Sequence, residues 1–264
     1  MSTPLQVWSY RNLISNLAQR DLKARYKRSV LGWLWSLINP AATLGIYTLV
    51  FGLFLGGVAP EMGSGREGVF ALFLFAGLVA WNLFAGVVNG SITSFLNAGP
   101  LLTRTYFPPE CPLLATLAAV LLQSLLEVSI LLFFMIVVGN LSWTFLVFIP
   151  VFALLSCFAL GVGLVLAVLN IRYRDVAYLT GILLQIWFYG TPIVYSLDTV
   201  PENAKRIIQL NPMNAYVNAM RRGVYYLDLP TLSNWVVMIT SASVSLAFGW
   251  WLFSRLAPRV IEEL

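Results

Sequence analysis

Five stretches of this chain carry no charged side chain: residues 29–60, 68–103, 128–171, 176–197 and 229–254. A helix needs about 20 apolar residues to cross a hydrocarbon core roughly 30 Å thick. Inside that core a backbone must satisfy its own hydrogen bonds, so runs of this kind form helices. Residues 111–126 are also free of charge, and Glu127 interrupts a run that otherwise continues. The 128–171 stretch is too long for one crossing, and Gly139–Asn140 with Ser142 supplies the turn that divides it. The pattern predicts six spans, at about 31–57, 70–94, 113–138, 143–169, 176–197 and 233–254. Composition agrees: 59% of the 264 residues are apolar and 10% are charged, against about 45–50% and about 25% in a soluble domain.

Six crossings return the chain to the side where it began. With the termini on the inner side, the inner segments hold eleven basic and five acidic side chains, and the outer segments hold five of each. The positive-inside rule therefore puts both termini in the cytoplasm. A basic segment of about 30 residues precedes the first apolar run, which argues against a cleaved signal peptide. Within it, Tyr10, Leu13, Ile14, Leu17, Leu22 and Tyr26 recur at helical spacing, with Pro4 suited to a first turn. The expectation is an amphipathic interface helix over 4–28, either a simple topology anchor or a contact for an anionic headgroup or a partner. The outer segment before the last span, about 35 residues, reads as two short helices, 204–210 and 213–226, broken at Asn211–Pro212. Helices that dip into the outer leaflet would fit, with Arg221 and Arg222 near headgroup level, and so would an ordinary helical cap.

Absences narrow the chemistry. The chain has no histidine, which removes His-ligated zinc and every nucleophile scheme that uses a histidine base. Its three lysines, Lys23, Lys27 and Lys205, do not follow glycine, so there is no phosphate loop for ATP. Cys111 and Cys157 lie in or beside apolar runs and read as packing residues. Glu127 is the ionisable residue deep inside a span, one helical turn from Gln123. A mid-membrane carboxyl faces a cavity or a partner, so Glu127 either packs helices together or lines a polar path. Aromatics within the spans, among them Trp35, Trp81, Phe84, Tyr189 and Tyr195, belong either to helix packing and interfacial belts or to a surface on which sugar rings slide.

Residues 25–40, RYKRSVLGWLWSLINP, resemble the start of ABC-2 type permeases that export polysaccharide. The likeness continues through NAGPLLTRTYFP (97–108), NIRYRD (170–175), FYGTPIVY (188–195) and LNPM (210–213), in the same order and spacing. The subfamily it resembles exports O-antigen, capsule, teichoic acid and galactan. The resemblance implies a single transmembrane domain over 1–264 in a bacterial inner membrane. It implies a homodimer working with two copies of a separate ATPase subunit that holds ATP and Mg, and no cofactor on this chain. Residues 97–106, with Leu101, Leu102, Arg104 and Tyr106, would match the coupling helix that docks on the ATPase, and Arg172, Arg174 and Asp175 a second contact. Arg25, Lys27 and Arg28 would meet the pyrophosphate of a polyprenyl-linked glycan. Trp35, Trp81, Phe84, Tyr189, Tyr195 and Glu127 would line its path. Asn211, Pro212, Arg221 and Arg222 would belong to re-entrant helices at the outer gate. An ABC-2 permease for a drug or small lipid is the alternative; a membrane enzyme or a channel fits less well, since the acids are scattered and no nucleophile–base pair is visible.

Overall fold

The uncharged runs fold as long helices. The computed structural model describes residues 4–26, 29, 31–54, 56, 59–102, 107–195, 197 and 200–261. The chain has α1 at Pro4–Ser9, α2 at Arg11–Tyr26, α3 at Trp35–Tyr47, α4 at Phe70–Leu102 and α5 at Cys111–Val137. There follow α6 at Phe148–Arg172, α7 at Val176–Tyr189, α8 at Glu202–Gln209, α9 at Pro212–Val224 and α10 at Leu232–Ile261. A π-helical turn, Thr48–Phe54, prolongs α3, and a 3₁₀ turn, Trp143–Val147, leads into α6. No strand occurs among the described residues.

Five of these segments are long and apolar enough to cross a membrane: Trp35–Phe54, Phe70–Ser94, Cys111–Val137, Trp143–Arg172 and Leu232–Ala257. The sixth expected span, 176–197, is helical only over the 14 residues of α7. Fourteen residues rise about 21 Å, less than the hydrocarbon thickness. The cause is local: Pro192 has no N–H to continue the ladder, and Thr191 before it is steered out of the helical region. A second departure is at the end of α4. The sequence suggested a separate short helix over 97–106, but Asn97–Leu102 continue α4 without a break, and 103–106 lie outside the described residues. The N-terminal segment is helical as expected, in two pieces that part at Tyr10.

Two ends can be distinguished. At the proximal end, α2 lays Leu17 and Ala18 against Ala115 and Ala119 of α5. The start of α5 (Leu113), the end of α6 (Ala167, Val168) and the end of α10 (Phe253, Ala257) form a second apolar cluster there. The distal end gathers the segment 59–69, the turn 138–142, the stretch 190–195 and α9, as the hydrogen bonds below describe. Strands of chain therefore alternate, with α3, α5 and α7 rising from the proximal end and α4, α6 and α10 returning to it.

The core follows α4. From Leu72 to Trp81 every side chain is buried, because this helix is apolar on all sides and is enclosed by α5, α6 and α9. Glycines let α6 and α10 touch: a Cβ at Gly249 would overlap the Gly161 carbonyl oxygen, and a Cβ at Gly161 would overlap Ser245. Ser245 Oγ donates to Phe158 O across that contact at 2.9 Å. In lipid, where apolar side chains gain nothing by leaving one membrane-like medium for another, such small-residue contacts drive helix pairing. By contrast α3 leaves most of its surface exposed, Ser36 being its buried residue.

Candidate functional site

The proximal end presents one exposed charged turn. Arg172 closes α6, Arg174 follows, and Asp175 precedes α7; all three are exposed. The Arg172 guanidinium lies 5.8 Å from the centre of the Tyr173 ring. What holds this sharp reversal is Asn170, 1% exposed, whose Oδ1 accepts a hydrogen bond from the Ala177 N–H at 3.0 Å. The sequence does not single out Asn170, because the bond spans seven residues and Asp175, not Asn170, stands at the N-cap of α7. Leu101 and Leu102 lie on the last turn of α4, and Arg25 near the end of α2. Arg104, Tyr106, Lys27 and Arg28 lie outside the described residues. On α2, Arg20 pairs with Asp21 at 3.5 Å.

Several polar side chains hold the distal end, and the first is Arg221. Sequence reading put it near headgroups; instead it is 6% exposed on the inward face of α9. Its Nε donates to Phe73 O at 3.2 Å, and its two terminal nitrogens donate to Pro192 O and Ile193 O at 2.6 and 2.5 Å. The guanidinium also stacks 3.7 Å from the Phe73 ring centre. The carbonyls left without helical partners where α7 stops are thus satisfied by α9. Arg222, one residue on, points outward, pairs with Asp228 and donates to Leu229 O at 2.8 Å.

Asn211 is the second. Its Oδ1 accepts from Trp187 Nε1 at 2.7 Å and from Met213 N at 3.0 Å, and so caps α9 ahead of Pro212. Its Nδ2 donates to Gly190 O at 3.2 Å and Thr191 Oγ1 at 2.9 Å. All four hydrogen bonds an amide can make are made. Asn211→Asp keeps the two accepted bonds and loses the two donated ones. We expect it to lower stability by about 1–2 kcal/mol, read as an earlier thermal midpoint in detergent.

Asn140 is the third, fully buried, donating to Val224 O at 3.1 Å and Tyr225 O at 2.9 Å and accepting from Ser64 N at 3.2 Å. Gly139 before it has φ +72°, which allows the turn. Tyr225 Oη donates to Pro60 O at 2.7 Å. Burial pushes this phenol up to about 12, and nearby Tyr226 adds to the effect, so it stays a donor at neutral pH.

At mid-depth, Glu127 is buried and accepts a hydrogen bond from Asn82 Nδ2 at 3.0 Å. The pair borders a cavity of about 260 Å³ between α3, α4 and α5, which Gln123 also lines. The aromatics divide. Phe84 stacks on Phe158 with ring centres 5.2 Å apart, and Phe158 stacks on Tyr216 at 5.7 Å. Trp187 meets the Phe84 edge at 5.0 Å, and Trp81 meets Phe188 at 5.4 Å. Trp81 and Phe84 are therefore rings of the chain's buried core. Trp35 and Tyr189 are exposed, at 46% and 53%, and Tyr195 is half-buried, its hydroxyl donating to Tyr189 O at 3.1 Å.

The sequence that builds these helices is similar to those of known proteins. Residues 12–225 match the ABC-2 type transporter family. The O-antigen export system permease protein RfbA of Klebsiella pneumoniae is 31% identical over 264 residues, covering 96% of this chain and 95% of that protein. The protein of the same name from Myxococcus xanthus is 29% identical over 248 residues, covering 93% and 91%. The polysialic acid transport protein KpsM of Escherichia coli is 24% identical over 235 residues, covering 86% and 87%. The family match takes in most of the chain and the relatives align along nearly their whole length: this protein is a multi-pass membrane member of the ABC-2 type transporter family.

Proposed function

We propose that this chain is the membrane permease of an ATP-driven exporter that carries polysaccharide, linked to polyprenyl pyrophosphate, across the bacterial cytoplasmic membrane. The observation that carries this is the near full-length likeness to O-antigen export permeases. The chain has no phosphate loop, so ATP and Mg belong to a separate ATPase subunit, two copies of which serve a permease homodimer. The termini are cytoplasmic, in keeping with the basic excess of the segments at the proximal end. The chain crosses six times, the buried stretch 191–194 completing the passage that α7 begins. α1 and α2 lie along the inner interface, where Arg25, Lys27 and Arg28 meet the pyrophosphate. α8 and α9 are re-entrant helices at the outer mouth, with Asn211, Pro212, Arg221 and Arg222 fixing their position.

In this mechanism ATP binding closes the ATPase pair, and the movement reaches the permease through residues 97–106 and the exposed 172–175 turn. The glycan then leaves between protomers along a surface to which Trp35, Tyr189 and Tyr195 contribute, with Glu127 on its polar side. Two experiments test the proposal. Gentle purification from native membranes should bring down an ATPase chain with a phosphate loop, in equal amount; a lone chain with no nucleotide dependence overturns the reading. Arg104→Glu combined with Arg174→Glu should reduce ATP-dependent export of lipid-linked glycan more than about tenfold, since like charges placed in an interface cost several kcal/mol. Undiminished export and ATPase stimulation would remove these residues from the contact.

A further inference from the structure

Three cavities succeed one another along the seam between α4 and α5. The proximal one, about 330 Å³, is roofed by α2 and bordered by Thr93, Asn97 and Thr116. The middle one, about 260 Å³, is roofed by α3. The distal one, about 710 Å³, is also roofed by α3 and its π-helical turn, and is lined by Leu44, Leu49, Phe75 and Phe134. Pro40 is a wall of both the middle and the distal cavity. A polar chamber thus adjoins an apolar one at mid-membrane depth.

We propose that the middle cavity is a binding site for a neutral sugar ring, with the alkyl part of the same ligand lying in the apolar cavity beside it. Its polar lining is Asn39, Thr43, Asn82, Asn89, Gln123, Ser124 and Glu127, which are amides, hydroxyls and one carboxyl group, set among Pro40, Ala85, Gly86 and Val120. Among the described residues no lysine or arginine borders it, so a phosphate would enter without a counter-charge, which disfavours an anionic ligand. A dehydrated metal cation needs a cage of oxygens, yet here the Asn82 N–H points at the carboxylate, at 3.0 Å. Donors and acceptors alternate, and a ring of hydroxyls, each both donor and acceptor, complements that alternation. Asn39 is exposed on α3, and Asn89, which also lines the cavity, is exposed on α4. Amides left facing hydrocarbon are costly, so these two call for a polar occupant. The volume suits one ring rather than a chain. The occupant is therefore a neutral glycolipid of the membrane and not the exported chain, whose pyrophosphate would find no counter-charge among the described lining residues.

The test uses the full-length chain in phospholipid nanodiscs and a diazirine-bearing octyl β-D-glucoside as photolabel. Labelling of peptides from α3 and α5 should saturate and should be displaced by unlabelled octyl glucoside but not by octyl phosphate, which partitions into the bilayer as an octyl chain does. Glu127→Gln, which preserves shape, and Asn82→Leu should each raise the half-saturating concentration about tenfold, the loss expected for one well-formed hydrogen bond. Leu146→Ala, at an exposed distal position, should leave it unchanged. Equal half-saturation in both cavity variants, displacement by octyl phosphate, or labelling that never saturates overturns the site. Nucleotide-dependent glycan export, measured on wild type with its ATPase, separates the two proposals. Export without saturable labelling refutes the sugar site and leaves the exporter reading standing. Saturable labelling lost in both variants, with no export by wild type, supports the site and refutes that reading.

Discussion

Replacing Arg221 with methionine should lower stability in detergent by about 2–4 kcal/mol, the loss of hydrogen bonds from a charged donor to buried carbonyls less the desolvation cost of the guanidinium itself. Methionine fills much of the space but donates nothing. Pro192 O and Ile193 O, which lie outside any helix, would then be left in a dry interior, where an unpaired carbonyl is costly, while Phe73 O, inside α4, loses only its second donor. Arg221→Lys keeps a charge and recovers only part of the loss, because an ammonium on a single stem cannot span three acceptors that a planar fork reaches. Arg222→Met is the contrast. Its pair with Asp228 lies at the surface, and exposed pairs contribute about 0–1 kcal/mol. Reversible unfolding in mixed micelles, followed by tryptophan fluorescence, measures all three. Equal losses at 221 and 222 would contradict the buried clamp.

Gly249→Val should be at least as damaging, with an expected loss of about 3 kcal/mol or more and little folded protein recovered, since overpacking a close contact commonly costs about 1–3 kcal/mol even where neighbours can yield. Here the neighbour is backbone: the added carbon overlaps the Gly161 carbonyl, and no side chain can swing away. The two helices must separate, breaking the Ser245–Phe158 hydrogen bond as they do. Gly181→Val provides the comparison, because a Cβ there meets nothing within 4 Å. Size-exclusion profiles of the two variants should differ sharply, the first aggregated and the second monodisperse.

The membrane class and five long helices were legible because they rest on charge, which is countable. The misreadings share one cause. Residues 97–106 read as a coupling helix of their own, yet α4 runs on without a break to Leu102. Gly190 with Pro192 sits in an uncharged run and looks continuous with a span, yet α7 stops there. Arg221 and Arg222 are neighbours of the same type; only α9's orientation decides that one meets three carbonyls and the other Asp228. Backbone carbonyls leave no trace in residue type, so the clamps of Arg221, Asn211 and Asn140 were invisible, even though Asn211–Pro212 was legible as a break. The aromatics show the same limit. Phe84 and Tyr189 are alike on paper, and packing sends the first into a stacked column and the second outward. Glu127 stood out correctly, but its partner Asn82, 45 positions away, did not.

The backbone contact between α6 and α10 also has a mechanical side. Two helices that touch at glycine and are tied by a serine resist bending more than either would alone, and together they form a strut. α6 has 25 residues and so spans about 37 Å. One end bears the Arg172–Asp175 turn, and the other reaches the 3₁₀ turn whose Thr144 donates to Gly223 O of α9 at 2.8 Å. A strut of this shape is suited to carry a tilt of that charged turn to the C-terminal end of α9, as a lever does.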